Sequence, residues 1–250
     1  MKAIAINGTS NSGKTALCEV IIRGLRQRGY TVGSVKEIHS PDFALDPDLE
    51  EDTGRHRQSG SQLVTARAFQ ETDVLYQVKL PIDEILGHYD HDFVILEGVT
   101  DCNCPRILTA HHEDEIKERL DGRVIAVSGV LANTGCREVL GLPVFHALQD
   151  PASLVDFVVD HAFEPLPSFD ADCCHLCGYS CHELAGRIAK GQASREDCVL
   201  DAQGTELVID GVSIPMVPFV QNILKNAVLG VARELDGYKE HSKIEVRFKA

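Results

Sequence analysis

Residues 3–15 read AIAINGTSNSGKT, and this stretch decides the fold of the chain. The first five of them, residues 3–7, form a mostly apolar run that predicts a buried strand. Residues 16–29 follow with apolar side chains at helical spacing, which predicts an amphipathic helix. Between these two segments, Gly8 to Thr15 match the pattern G-x-x-x-x-G-K-[ST] without deviation. A loop of this pattern between a strand and a helix predicts a phosphate-binding loop.

The residue types of this loop suit an anionic ligand. Two glycines let the backbone approach a phosphate and turn its N–H groups toward it. The N-terminus of the following helix adds a partial positive charge. Lys14 can reach the β- and γ-phosphates of a nucleotide, and the Thr15 hydroxyl can hold Mg²⁺. The predicted nucleotide-binding residues of the loop are Gly8, Asn11, Ser12, Gly13, Lys14 and Thr15.

Two acids flank the apolar strand predicted for residues 93–96, and either could bind the magnesium ion. Asp92 precedes this strand and Glu97 closes it. Five residues at about 3.3 Å each separate the two acids by roughly 16 Å. Because the phosphate loop also lies at the carboxyl end of a strand, we expect Glu97 near Mg²⁺ and Asp92 in a structural role. Glu97 and Lys14 are therefore the predicted catalytic residues.

An acidic, proline-containing segment, residues 40–52, predicts a loop at the carboxyl ends of the strands. Ligands bind at this edge in open α/β sheets. The polar groups that could face a nucleotide and Mg²⁺ there are Asp46, Asp52, Arg55 and His56. Asp52 is a predicted nucleotide-binding residue, and the alternative is that the whole segment is a solvated acidic loop.

Segments of strand and helix character alternate as far as residue 163. The alternation predicts the α/β class, with a mainly parallel sheet and helices on both faces. The predicted strands are 31–38, 64–68, 74–79, 93–96, 123–128 and 143–146, and the further predicted helices are 53–60, 81–89 and 152–163. Residues 164–168 contain two prolines and predict a linker that ends a nucleotide-binding domain, residues 1–163.

The composition restricts the classes of partner. The chain has 250 residues, of which 44% are hydrophobic, and its 24 lysines and arginines against 38 acids give a net charge of -14. A chain this acidic is a poor candidate for binding nucleic acid, where neutralisation of phosphates dominates affinity. No apolar run is long enough to span a membrane, and no signal peptide is visible. We therefore expect a cytoplasmic protein with no nucleic-acid or membrane partner.

Nine cysteines are many for such a chain, and five lie between residues 173 and 198. Disulfides are not expected in a reducing compartment, so this density indicates a metal or cluster. The spacing C-x₂-C-x₃-C-x₁₆-C suits a [4Fe–4S] cluster, with zinc as the alternative. The predicted ligands are Cys174, Cys177, Cys181 and Cys198. Cys173 could replace Cys174, and the predicted module spans residues 168–200 with a helix at 182–190.

Two further features complete the chain. The pair Cys102 and Cys104, with His111 and His112 nearby in sequence, could bind a soft metal, or these cysteines could be free thiols.

Residues 206–250 then form a third predicted segment. Its predicted elements are a hairpin with an Asp-Gly turn at 207–214, a helix at 217–235 and a strand at 243–248.

Several segments, in order, resemble the MobB family, the GTP-binding proteins of molybdopterin-guanine dinucleotide biosynthesis. They are Gly8–Thr15, Arg28–Tyr30, Val32–Lys36 with His39, Asp46 with Asp52–His56, Phe93–Gly98 and Pro105–Ile107. This resemblance covers residues 1–163 and implies a phosphate-loop fold with GTP and Mg²⁺ as ligands. It implies a role in attaching a nucleotide to the molybdenum or tungsten pterin cofactor. The implied partners are proteins of that biosynthesis or a molybdenum or tungsten enzyme, and we also consider a homodimer.

A second resemblance concerns residues 174–198, which look like the four-cysteine cluster module of corrinoid iron–sulfur proteins. Two alternative functions stay open beside the MobB-like role. One is a nickel metallochaperone GTPase that uses Cys102 and Cys104, and the other is a nucleotide-gated iron–sulfur electron carrier. Hydrolysis of GTP would be slow, because no arginine finger or positioned glutamine is evident. The tetrapeptide N-K-x-D is absent, so the choice of guanine over adenine depends on the resemblance.

Overall fold

The computed structural model describes residues 1–40, 43, 51–167, 177–198, 205–209, 212–214, 216, 218–239 and 244–246. The chain forms two compact units. The first is Met1–Ser168 with Cys181–Gln192, and the second is Phe169–Ser180 with Ala193–Ala250. The three-part division expected from the sequence, at residues 1–163, 168–200 and 206–250, stays a prediction.

The first unit contains nine strands and six α-helices in its described residues. The strands are β1 (Lys2–Gly8), β2 (Val32–Lys36), β3 (Leu63–Arg67), β4 (Thr72–Tyr76), β5 (Phe93–Glu97), β6 (Arg106–Thr109), β7 (Val124–Ser128), β8 (Glu138–Val139) and β9 (Leu142–Pro143). The helices are α1 (Lys14–Gln27), α2 (Asp52–Gln58), α3 (Ile82–Leu86), α4 (Glu113–Lys117), α5 (Pro151–His161) and α6 (Cys181–Ala189). One 3₁₀ turn, Val130–Thr134, supplements them in the described residues of this unit.

A parallel sheet of five strands, in the order β2-β5-β1-β6-β7, is the centre of this unit. Side chains alternate between its two faces along β1. Ile4 and Ile6 pack with residues of α1 and α5 on one face, while Ala3 and Ala5 pack with residues of α3 on the other. A parallel sheet with both faces covered explains why β1 reads as an almost continuous apolar run. The predicted α/β class is confirmed.

Three short strands and helices, β6, β8 and α4, were not predicted from the sequence. β6 takes an inner position between β1 and β7, yet it has only four residues and a polar residue at each end. α4 has five residues, four of them charged, and so shows no clear amphipathic pattern. Elements this short give too few periods of side-chain alternation for a pattern to be detected.

Three predicted strands also differ from the structure in place or extent. β3 and β4 pair antiparallel with each other in a separate two-stranded sheet. The strand predicted for residues 143–146 is wrong in extent. β9 is only Leu142–Pro143 and pairs with β8, while Val144 forms a single parallel bridge with Val127.

The second unit contains a small hairpin and a long helix among its described residues. These are β10 (Val208–Ile209), β11 (Val212–Ser213) and α7 (Pro218–Ala232). The predicted hairpin is confirmed, although its Asp-Gly turn lies outside the described residues. The strand predicted for 243–248 is not formed in the described part, 244–246. None of the helices in the described ranges is long and apolar enough to cross a membrane.

Candidate functional site

The phosphate-loop pattern folds as a tight turn between β1 and α1. A side chain at Gly8 would collide with the Thr109 carbonyl oxygen of the neighbouring strand. Gly13 has a φ of 101° and directly precedes α1, in a backbone region that favours glycine. Asn11, at the tip of the loop, also has a positive φ of 59°. The residue types at these three positions therefore suit the space and the backbone conformation that the loop requires.

Side chains within the loop fix its form. The Lys14 ammonium contacts the carbonyl oxygens of Gly8 at 3.2 Å and Thr9 at 2.5 Å, so it lies across the loop. Ser12 is fully buried, and its hydroxyl donates to the Thr9 carbonyl at 2.8 Å and lies 2.6 Å from the Thr109 hydroxyl. The side chain of Ser12 thus supports the loop from within.

Glu97 lies beside the phosphate loop because β5 and β1 are parallel neighbours. The Thr15 hydroxyl donates to Glu97 Oε1 at 2.7 Å. The Lys36 ammonium contacts the same carboxylate oxygen at 3.0 Å and lies 3.5 Å from the Thr15 hydroxyl. A carboxylate and a hydroxyl are the oxygen ligands that Mg²⁺ prefers, and here they already attract a positive group. The pair therefore fits a magnesium site.

Asp92 has different surroundings at the opposite end of β5. One carboxylate oxygen accepts hydrogen bonds from the backbone N–H and the hydroxyl of Thr31, both at 2.8 Å. These two bonds lower the pKa of Asp92. The carboxylate therefore joins the start of β5 to the segment that enters β2.

We predict that Glu97→Gln removes most of the Mg²⁺-dependent part of nucleotide affinity, about tenfold, since one charged ligand is lost. Asp92→Asn, the matched control, should lower the melting temperature and leave the Mg²⁺ dependence unchanged. Nucleotide titrations with Mg²⁺ and with EDTA measure both effects. The placement of the metal would be wrong if Asp92→Asn were the variant that lost the Mg²⁺ dependence.

A hydrogen-bond network holds the phosphate loop from the side of α4. The Thr9 hydroxyl donates to Glu115 Oε2 at 2.9 Å, and the backbone N–H of His111 donates to the same oxygen at 2.8 Å. The bond from His111, followed by the hydroxyl of Thr9, lowers the pKa of Glu115 to about 2. Glu115 could not be found from the sequence, because it lies 106 positions from Thr9 in a helix of five residues.

We predict that Glu115→Ala weakens nucleotide binding about two- to tenfold, because the Thr9 hydroxyl loses its acceptor. Glu113→Ala on the same helix is the control, since Glu113 pairs only with Lys117 in the described residues. Equal affinities of the two alanine variants would refute this role of Glu115.

The pKa of Glu115 is depressed, so the stability that its carboxylate contributes is complete above pH 4.5 and is lost as the pH falls toward 2. Melting temperatures across that range should fall less in Glu115→Gln than in the native protein.

The loop opens onto a cavity of about 750 Å³. Its lining residues are Asn7, Gly8, Ser10, Asn11, Gly13, Lys14, Thr15, Ala16, Lys36, Glu37, His39, Glu97, Gly98, Thr100, Arg106, Leu108 and Arg119. Asp52 is not among them. Its side chain is 94% exposed and lies 3.9 Å from Arg55 in α2. Asp46 lies outside the described residues. The predicted loop residues, except Ser12, thus line the same cavity as Glu97. Asp52 does not line it.

The cysteine pair near residue 103 lies in an apolar environment. Cys102 and Cys104 are buried in the apolar cluster against α3, and a hydrogen bond between the two thiols, with burial, raises the pKa of Cys102. The contacts of His111 are instead with Thr9 and Glu115. Cys102 therefore has the environment of a protonated thiol.

For the predicted cluster ligands, the structure gives only partial information. Cys174 and its alternative Cys173 lie outside the described residues. Cys177 and Cys198 belong to the second unit, and Cys181 begins α6 in the first unit. Within the ranges that the structure describes, no group of three or more His, Cys, Asp or Glu residues is placed to hold a metal ion. The cluster stays a prediction.

The parallel sheet and the glycine loop at the carboxyl end of β1 define an α/β protein of the phosphate-loop class. The family model for molybdopterin guanine dinucleotide synthesis protein B, MobB, matches residues 3–129. This match spans half of the chain, and the chain belongs to the MobB family.

Individual relatives agree with this family. A Methanocaldococcus jannaschii protein, provisionally named as a molybdopterin-guanine dinucleotide biosynthesis adapter protein, is 27% identical over 98% of this chain and 97% of its own length. A Bacillus subtilis protein with the same kind of name is 24% identical over 62% of this chain and 90% of its own length. The crystal structure of Bacillus subtilis MobB, 20% identical, covers 65% of this chain and 99% of its own with a TM-score of 0.54. That likeness shows the shared fold.

Proposed function

We propose that this protein is a GTP-binding adapter in the biosynthesis of the guanine dinucleotide form of the molybdenum or tungsten pterin cofactor. The observation that carries the proposal is the intact phosphate loop, with Glu97 beside Thr15, in a chain of the MobB family. The names of the relatives from Methanocaldococcus jannaschii and Bacillus subtilis support the adapter role.

The residues of the loop would divide the work of holding GTP. Backbone N–H groups between Gly8 and Gly13 would surround the phosphates, and the ammonium of Lys14 would leave the loop carbonyls to pair with phosphate oxygens. Thr15 and Glu97 would hold Mg²⁺, which neutralises the charge on the phosphates when bound. Lys36, at 3.0 Å from Glu97, would give up this contact to the metal.

A resident [4Fe–4S] cluster is the second part of the proposal, and it depends on the cysteine spacing. The proposed ligands are Cys174, Cys177, Cys181 and Cys198. The cluster could hold together a segment with few large apolar side chains, as metal sites do in small modules. Delivery of nickel through Cys102 and Cys104 has less support, because both thiols are buried in an apolar cluster.

The adapter role can be tested in the host organism. Deleting the gene should lower the share of pterin cofactor that carries the guanine nucleotide, as measured on cofactor released from purified molybdenum or tungsten enzymes. The native gene should restore this share, and the Lys14→Ala gene should not. An unchanged share in the deletion strain would contradict the adapter role.

A further inference from the structure

The cavity beside the phosphate loop extends well beyond the loop itself. In the register of the sheet, Gly8 lies opposite Thr109, whereas Arg106 lies opposite Ala5. Three residues of parallel strand place the level of Arg106 about 10 Å behind the phosphate loop. Leu108 lines the cavity between these two levels. The inner end of the cavity is therefore separate from the position where the nucleotide phosphates would bind.

Arg106, which lines this inner end, belongs to a cluster of side chains with an excess of positive charge. The guanidinium groups of Arg106 and Arg123 share the single carboxylate of Asp121, at 2.9 and 2.8 Å. Both arginine side chains are nearly buried, with exposed fractions of 7% and 5%. Burial and the neighbouring Arg123 lower the pKa of Arg106, although the guanidinium stays charged. Arg106 also donates to the Thr100 carbonyl, and Arg123 donates to the Cys102 carbonyl at 2.8 Å. These acceptors are neutral, so one of the two positive charges has no compensating anion among the described residues, and this favours the arrival of a further anion.

The lining of the cavity as a whole also carries more positive than negative charge. Its charged lining consists of four cations, Lys14, Lys36, Arg106 and Arg119, and two acids, Glu37 and Glu97. The complete chain, by contrast, has a net charge of -14. Positive charge concentrated in a cleft of an acidic protein attracts and selects anionic ligands.

Two buried polar atoms at the cavity have no partner in the described part of the chain. They are Arg106 Nε and Asn7 Oδ1, which belong to residues that are each only 6% exposed as a whole. The Asn7 amide N–H donates to the Val99 carbonyl at 2.9 Å, which fixes the orientation of the amide and leaves its oxygen as an acceptor. Buried polar groups are normally paired, so these atoms indicate a ligand with both donors and acceptors.

We infer that the inner end of the cavity is a second anion subsite, which holds the phosphate monoester group of a second substrate while the nucleotide occupies the phosphate loop. Arg106 and Arg119 would donate to the phosphate oxygens. Asn7 would accept from a hydroxyl or N–H group of the same ligand. This inference deepens the proposed function and rests on it in one respect, which is that the phosphate loop holds the nucleotide.

The test is calorimetric titration of the full chain, saturated with GTP and Mg²⁺, using inorganic phosphate and phenyl phosphate as separate probes. Saturable binding of phenyl phosphate is expected, and Arg106→Lys should weaken it at least about tenfold because the planar fork of donors is lost. Arg119→Ala, at a partly exposed side chain, should weaken it about threefold or more without risk to folding. Arg137→Lys, at an exposed position, is the matched control.

The two probes and the saturation with GTP separate the outcomes. Tighter binding of phenyl phosphate than of inorganic phosphate supports a monoester, while equal or tighter binding of inorganic phosphate contradicts it. GTP binding without any second phosphate event, or an event unchanged by both Arg106→Lys and Arg119→Ala, would overturn the subsite alone. Absence of GTP binding in the native protein would instead refute the proposed function, and Lys14→Ala should still bind phenyl phosphate at the inner end.

Discussion

Replacing Lys14 by alanine is expected to lower the affinity for GTP by about 100-fold or more, the loss of roughly 3 kcal/mol of charge-assisted hydrogen bonding to phosphate. The ammonium lies across the loop, 2.5 Å from the Thr9 carbonyl and 3.2 Å from that of Gly8, and so is placed where phosphates would bind. Lys14 is partly exposed and is not a member of the apolar core clusters. The fold should therefore survive the change, with a melting temperature close to that of the native protein.

Lys225→Ala is the matched control for this experiment. Lys225 is exposed on α7 in the second unit and carries the same charge. Its removal should leave the affinity for GTP within about twofold of the native value, because a screened surface charge contributes little. Equal affinities of Lys14→Ala and Lys225→Ala would show that the phosphate loop is not the nucleotide site.

Replacing Cys177, Cys181 or Cys198 by serine is expected to remove all bound iron from protein purified without oxygen. The native protein should contain about four iron atoms per chain, because a [4Fe–4S] cluster needs four thiolate ligands. The loss should also make the cysteine segment sensitive to protease, since ligation and local folding are coupled in small metal modules. GTP affinity should persist in Cys177→Ser and Cys198→Ser, because both cysteines belong to the second unit and the phosphate loop belongs to the first.

Two cysteine variants serve as controls for the iron measurement. Cys136 is distant in sequence from the cluster segment, and its thiol lies 2.8 Å from the Glu138 carbonyl. Cys136→Ser should therefore retain the iron. Cys173→Ser should also retain it, and Cys174→Ser should lose it unless Cys173 takes its place. One tightly bound zinc ion and no iron in the native protein would contradict the cluster.

Local patterns were enough to predict the part of the fold around the phosphate loop. The strand, the loop and the helix between residues 2 and 27 follow from one contiguous motif. Glu97 lies at 2.7 Å from Thr15 because it closes a strand parallel to β1, and the ends of parallel strands meet at one edge. That inference needed only the polarity of the sheet.

Contacts between distant short segments were not predictable in the same way. The bond from Thr9 to Glu115 and the shared carboxylate of Asp121 depend on how β6 and α4 pack, and neither element was predicted. We also predicted from the sequence that Asp52 binds the nucleotide, whereas its side chain lies exposed at the start of α2. A charged residue in a polar segment carries no periodicity that would reveal which way it faces.

The most direct test of the proposed function is equilibrium titration of the native chain with GTP and with ATP, each with Mg²⁺ and with EDTA. We expect one saturable GTP site per chain, about tenfold weaker in EDTA because the bridge between Thr15, Glu97 and the phosphates is lost. We also expect weaker binding of ATP, because the proposed role is in guanine dinucleotide biosynthesis. Failure to bind GTP at any concentration up to the millimolar range would contradict the proposed function.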